Sequence, residues 1–414
     1  MTTINKLTII IAGVLFLHSS TATAGGFQLN AQGTKQLGMG HVGTGLATDA
    51  SALFFNPGAT SFADSARFRF AMAGTFINPN VQYINGSYSA RNTPHLGTPI
   101  NLYVSYQPIK NVPLNIGLAV YTPFGSHLQW DNTWAGSAVI QEIKLKTIFY
   151  QPTVSYQIGK YFGIGLGYVI ATGDFELKKA IPLADSLGNF GQAALTGKAK
   201  GSGINVGIFV NLTDKWNFGM NYRSRVTAKV KAGTSTFTTP SYVAPYFPAT
   251  NNFTTQLNLP DVFTVGVSYK HNNKLTLATD VVFADWSSYD SLIIDFETNT
   301  GKLKDTHQGK KWKGSYTYRV GASYLLNEHI TLRAGTYYDV SPVQNNFLSP
   351  ETPDGNKIGL TAGASYKPGK KLSIDCALLY VDALARTGGS AESNFYGTYK
   401  AKATGISIGV GYHF

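Results

Sequence analysis

The chain has 414 residues, a formal net charge of +12, 14% charged and 13% aromatic residues, 44 glycines and one cysteine. So little charge beside so many aromatics excludes a disordered chain and a coiled coil, and one Cys excludes an internal disulfide framework. The basic residues are spread along the chain, with local clusters at 302–313 and 367–371, and form neither a zinc-finger spacing nor a basic helix, so nucleic acid is not an expected partner.

Residues 1–24 read as a secretory signal peptide. Lys6 supplies the positive start, the apolar run 7–17 is too short to span a bilayer as a helix, and Ala22-Thr23-Ala24 is a small-x-small cleavage pattern. No later stretch is a transmembrane helix, so the exported chain is either soluble or a barrel of strands. Residues 25–63 do not alternate. They are Gly-rich, and the Asn56-Pro57-Gly58 turn follows a small-residue run in which Thr48 or Asp49 could cap a short helix. The segment reads as a compact hatch folded inside a lumen, or as a flexible tail.

Residues 64–414 carry a two-residue period. At the chain end Ile406, Ile408, Val410, Tyr412 and Phe414 share one face, opposite Gly405, Ser407, Gly409, Gly411 and His413. A soluble sandwich also alternates. Here the apolar rows end in aromatics such as Tyr106, Tyr156 and Tyr222, the other rows are Gly, Ser, Thr and Asn, and the chain ends on an aromatic, as outer-membrane barrels do. The expected fold class is all-β, a 14-stranded antiparallel transmembrane β-barrel with an N-terminal hatch in the lumen. Gaps after even strands are short, while those after odd strands run from about twelve to twenty-six residues, which places both chain ends in the periplasm of a bacterial outer membrane. The stretch 274–298 reads as one long strand, or as two.

At the hatch the sequence resembles a known family. Gly26-Phe27-Gln28-Leu29-Asn30 followed by Asn56-Pro57 is similar to the hatch of outer-membrane long-chain fatty-acid and hydrophobic-compound transporters (FadL/TodX-type). Further matches are Thr122-Pro123-Phe124-Gly125, Leu257-Asn258-Leu259-Pro260, Asp285-Trp286-Ser287, Trp312-Lys313 and Ser341-Pro342-Val343, so the resemblance covers nearly all of 25–414. It implies a monomeric barrel that captures hydrophobic molecules in its loops, binds them in the lumen, and releases them sideways when the hatch near Phe27 moves. A kink in the third strand would open the wall, and Pro113 and Gly117 permit irregular backbone there. Two departures stand out: Gly58 replaces the family Ala, and the family's carboxylate-binding Arg falls on Lys179, with a matching Lys at Lys313. Strand parity places both lysines inward, where they could pair with a head group or be ordinary hydrated charges. The loop aromatics Trp130 and Trp134, and Tyr246 and Phe247, are candidates for capture or for a self-packed cap.

Catalytic signals are weak. The histidines are scattered, no metal spacing, nucleophile elbow or phosphate loop occurs, and Cys376 falls on the lipid face. No cofactor, no metal and no enzyme activity are expected. The expected partners are long-chain fatty acids or hydrocarbons, outer-membrane lipid and lipopolysaccharide, and the barrel-insertion machinery reading Phe414. The alternatives are a general diffusion porin and a transporter of aromatic hydrocarbons.

Overall fold

The computed structural model describes residues 25–63 and 66–414, and the expected signal peptide lies outside them. No described helix is long and apolar enough to cross a membrane. Fourteen antiparallel wall strands close on themselves. They are β1 (Phe68–Asn85), β2 (Ile100–Tyr106), β3 (Leu114–Tyr121 and Gly125–Gln129), β4 (Glu142–Ile158), β5 (Phe162–Ala184), β6 (Phe190–Asn211) and β7 (Trp216–Arg223 and Val226–Thr238). The ring continues with β8 (Thr250–Leu259 and Asp261–Lys270), β9 (Leu275–Asp285 and Ser291–Phe296), β10 (Thr306–Gly309 and Ser315–Leu325), β11 (Ile330–Asp339), β12 (Lys357–Tyr366), β13 (Leu372–Ser390) and β14 (Phe395–His413). Closure is the β1–β14 ladder, from Arg69 opposite His413 to Ile84 opposite Thr398.

The wall has two tiers. In the lower tier the expected alternation holds. On β5, Phe162, Ile164, Leu166, Tyr168 and Ile170 are exposed, while Gly163, Gly165, Gly167, Val169 and Ala171 are buried. That apolar row covers about nine residues, the length a tilted strand needs to cross a bilayer. Above it the two faces exchange polarity. Outward positions become Asp174, Glu176 and Lys178 on β5, Lys144 and Lys146 on β4, and Lys198 and Lys200 on β6. Inward positions become Ile143, Leu145, Leu177, Leu195, Val226 and Val230, all buried. The strands therefore continue past the membrane as a tall barrel with an apolar interior in water.

This exchange corrects the expected loops. Residues after β5 and after β13 are not long loops: the strands climb to short turns at 185–189 and 391–394. Of the stretch 233–256 around the expected loop aromatics Tyr246 and Phe247, half is strand, split between β7 and β8. Once the apolar row turns inward, a pattern sought as apolar-outward ends at the membrane surface. Of the two readings of 274–298, the structure shows the second: two pieces of β9, divided by the one-turn 3₁₀ helix Trp286–Ser288.

Residues 25–63 fill the lower lumen. They hold only the short helices Thr34–Leu37 and Ala52–Phe55 and the 3₁₀ turn Pro57–Phe62, so most of their backbone groups have no ladder partner. Inward wall side chains supply the partners. Asn101 Nδ2 donates to Ala31 O (3.0 Å), Gln151 Nε2 to Leu53 O (2.9 Å), Ser155 Oγ to Pro57 O (2.8 Å) and Ser268 Oγ to Gly45 O (2.7 Å). Arg223 donates to Phe54 O at 2.9 Å, and Arg319 to His41 O at 3.1 Å and Asn30 Oδ1 at 2.7 Å. Asp280 accepts the Gly43 and Thr44 amides at 2.9 and 3.1 Å. Asn56, fully buried, donates to Thr44 O and Ile208 O and accepts from Gly58 N, so it fixes its own turn and the wall together.

Two wall glycines show how close the approach is. A Cβ at Gly219 would lie 1.9 Å from Thr44 O, and one at Gly335 would lie 2.2 Å from Gly40 N. Gly58 itself lies against the Gly163 and Gly207 carbonyls, at 2.7 and 2.8 Å from where its Cβ would be, which leaves no room for the family Ala unless the turn shifts.

Two predictions follow from these contacts. Arg319→Ala removes two charge-assisted hydrogen bonds and is expected to weaken hatch docking by about 2–3 kcal/mol. The check is faster amide exchange within 25–63 with unchanged exchange in β11–β14. The second concerns the Lys35–Asp49 pair (2.9 Å) in the hatch. Burial pushes the Asp49 carboxyl up, but Lys35 and Ser51 outweigh it and hold it below its usual value. Burial likewise opposes the Lys35 charge, yet Asp49 and Asp375 raise its pKa overall. The acid therefore stabilises the fold above about pH 4 and loses that contribution as pH falls through its lowered value; the base stabilises below about pH 10 and loses it as pH rises through its raised value. Hatch exchange rates should rise at both extremes, and Asp49→Asn should abolish the acid limb.

Candidate functional site

Above the hatch, the upper interior narrows onto Phe27. Its ring meets Trp312 (5.3 Å between centroids), Tyr289 (6.0 Å) and Trp286 (6.1 Å). Phe124 and Phe149 extend the same cluster through Trp286. Higher up, Phe175, Phe253, Phe296, Phe237 and Phe247 form a chain of ring contacts at 5.9–6.4 Å that rises to the short 3₁₀ helix Ser241–Tyr246. Both runs belong to one apolar cluster. Among the described residues, the buried indole N–H groups of Trp286 and Trp312 and the Tyr399 hydroxyl have no hydrogen-bond partner.

One charged group of the upper chamber sits against this apolar lining. Lys310 and Glu351 are nearly fully buried and pair at 3.5 Å, with Gln308 donating to the same carboxylate at 3.3 Å. Burial pushes the Glu351 carboxyl up, but Lys310 and its hydrogen bonds outweigh this and hold it below its usual range. Lys179 points into the chamber from β5, above the level where the outward row has turned charged, and Glu351 is the carboxylate it feels. Burial lowers its pKa. Among the described residues no hydrogen bond or ion pair to its ammonium is formed. Two lysines thus face one carboxylate, which leaves a single surplus positive charge.

Lys313 is not part of this group, contrary to expectation. Lys311 takes a left-handed backbone (φ 47°), and β10 becomes regular only at Ser315. The break shifts the alternation, so Lys310 and Trp312 are buried and Lys313 is exposed. Sequence reasoning missed Lys310 and Glu351, since no pattern marks that break. It had Trp286 and Trp312 in hand as motif residues without their role around Phe27.

The loop aromatics divide. Trp130 and Trp134 stack at 4.4 Å and are buried; their N–H groups donate to Pro350 O and Ile140 O, and Trp134 packs on Tyr83 and Phe395. They are the core of a loop cap, not the lining of an open groove. Tyr246 is exposed, beside exposed Tyr242, and Phe247 is buried on Phe237. Cys376 is exposed on the outer face.

The wall is interrupted at β3, although not where Pro113 and Gly117 lie. Pro113 accepts from Gln157 N at the short-turn end, and Gly117 is paired on both sides, with Ser105 and Thr153. The ladder with β2 stops at Tyr121 opposite Asn101. Beyond it, Thr122–Phe124 bulge inward around Pro123, which has no amide to give. There the hatch substitutes for the missing neighbour: Leu29 N donates to Pro123 O (2.9 Å), Gly125 N to Phe27 O (3.0 Å), and Gln28 bridges Phe124. The hatch residue at the base of the aromatic chamber is thus also the inner cover of the gap.

A transmembrane barrel with a hydrogen-bonded internal hatch, an apolar upper chamber and a hatch-covered gap in its wall is the architecture of an outer-membrane transport protein. The chain belongs to the outer membrane protein transport protein family (OMPP1/FadL/TodX), whose model matches residues 15–414, and its location is the bacterial outer membrane. It is 25% identical to the long-chain fatty acid transport protein of Escherichia coli K12, over 90% of this chain and 91% of that one. In fold it is similar to a Pseudomonas aeruginosa FadL homologue (TM-score 0.82, 19% identity, 94% of this chain and all 100% of that one) and to the Ralstonia pickettii toluene transporter TbuX (0.72, 17%, 94% and 100%).

Proposed function

We propose that this protein takes up long-chain fatty acids and similar hydrophobic acids passively across the outer membrane, with no catalytic step. The observation that carries the reading is Lys179, a mostly buried ammonium with no hydrogen-bonding partner among the described residues, set in an apolar chamber where the neighbouring Lys310 is already paired with Glu351. A carboxylate with an apolar tail satisfies both features. Exposed Tyr242 and Tyr246 meet the molecule first, the Phe237–Phe253–Phe296 chain takes its tail, and Lys179 holds its head. Displacement of Phe27 then uncovers the gap at 122–124, and the ligand leaves sideways between β2 and β3. Export by a cleaved signal peptide, a monomeric state and recognition of the exposed Phe414 ring by the insertion machinery belong to the same reading.

A second reading, aromatic hydrocarbons, is favoured by the Phe27–Trp286–Trp312–Tyr289 cluster, which offers ring faces and edges without needing a charge.

Lys179→Ala should weaken binding of a long-chain fatty acid by about tenfold to a hundredfold and leave the matching long-chain alcohol unchanged. Calorimetric titration of both ligands decides, and an acid that binds both proteins equally refutes the head-group role. A Gln28→Cys/Phe124→Cys pair should form a bridge that stops uptake in cells and releases it on reduction. Undiminished uptake in the oxidised form would exclude passage at this gap.

A further inference from the structure

Immediately above the apolar band, one sector of the outer surface carries more lysines than acids, with Asp174 alone set directly opposite two of them. Lys146 on β4, Lys198 and Lys200 on β6, and Lys229 and Lys231 on β7 are exposed. The registers make them neighbours. Lys146 and Lys198 both lie opposite Asp174 of β5, and Lys200 lies directly opposite Lys229. Directly opposed residues of an antiparallel pair stand about 5 Å apart at Cβ, and like charges there are destabilising. Farther up β4 and β5, Glu142 and Glu176 are held by Lys178 and His127. None of the five lysines forms an ion pair among the described residues.

Their height on the wall matters. On β5 the last exposed apolar residue is Ile170, and Thr172, which lies opposite Lys200, is the next outward position. The cluster therefore stands at the head-group level of the side that carries the tall strands, away from the chain ends. Lower on the wall and to the β2–β5 side of the cluster, which it meets at β4, the outer surface is hollowed. Val104, Ile116, Leu118, Val154, Leu166 and Tyr168 surround Pro152, and the groove between them is about 700 Å³, within the range of sites that hold a whole small ligand. The hollow has a local cause. Pro152 is an outward residue shorter than its neighbours, and residues 151–152 drop out of the β4–β5 ladder.

We propose that this sector binds lipopolysaccharide of the outer leaflet, its phosphates on Lys146, Lys198, Lys200, Lys229 and Lys231 and an acyl chain in the groove below. Bound phosphate offsets the Lys200–Lys229 repulsion, and the ammonium groups act as point charges that need no fixed fork geometry. The two halves of the surface match the two halves of one molecule: anionic sugar above, hydrocarbon below. This inference is independent of the cargo in the chamber.

The test uses the full-length barrel in detergent and rough lipopolysaccharide as the probe, with binding followed by native mass spectrometry and by thermal unfolding. The wild-type protein should bind it and melt higher in its presence. Enzymatically dephosphorylated lipopolysaccharide should bind about a hundredfold more weakly. Inorganic phosphate at equal concentration should not compete, which separates a lipid site from a free-anion site. Lys198→Gln/Lys200→Gln/Lys229→Gln should show the same loss, whereas Lys215→Gln/Lys370→Gln/Lys371→Gln, with equal charge removed at the short turns, should bind as wild type. Equal binding of phosphorylated and dephosphorylated forms by the wild-type protein would overturn the proposal without any variant. So would equal loss in both triple variants, or full competition by inorganic phosphate.

Discussion

The structure depends on how a segment with little regular secondary structure is kept inside a barrel. Buried peptide groups without partners are costly, and residues 25–63 have only two four-residue helices and one 3₁₀ turn to satisfy their own. The lower wall answers with Asn101, Gln151, Ser155, Arg223, Ser268, Asp280 and Arg319, each bonded to hatch backbone. These inward polar residues are the kind that would line a water-filled pore. In this molecule the hatch takes the place of the water, and the lower lumen is a polar interface between two parts of one chain.

The upper tier follows from the opposite demand. Once the strands leave the lipid, their outer face meets water and their inner face is shielded, so the ordinary rule of a soluble protein applies and the apolar rows turn inward. The membrane-spanning part is therefore inside-out relative to the part above it. The apolar chamber this creates has a closed polar floor, and Phe27 stands where the two meet. The same short run of hatch, residues 27–29, completes the sheet at the β3 bulge. Contact with the chamber and cover of the wall gap are thus carried by one element.

Charge is placed according to the same two tiers. Inside the chamber, Lys310 and Glu351 neutralise each other and Lys179 remains. Outside, the lysines of β4, β6 and β7 outnumber Asp174, the acid opposite two of them, at the lipid head-group level. In both places the sheet register, rather than the local sequence, decides which charges face each other. Lys200 and Lys229 are distant in sequence and opposite in space.

The sequence by itself determined the membrane barrel and the strand number, since a period of two and a row of apolar side chains about nine residues long leave few other folds; for residues 25–63 it left a lumen hatch and a flexible tail both open. It also placed Lys179 inward, because β5 runs without a break from Phe162 to that residue. Only the tertiary structure decided the rest. Strand heights were hidden because polarity exchanges faces at the membrane surface, which a search for apolar-outward rows reads as loop. Lys313 was misplaced and Lys310 missed because one left-handed residue, Lys311, resets the parity between them. Glu351 reaches the site from a loop that has no period to read. The gap lies at Thr122–Phe124 rather than near Pro113 and Gly117 because a break in a sheet depends on what stands beside the strand, and here the neighbour is the hatch.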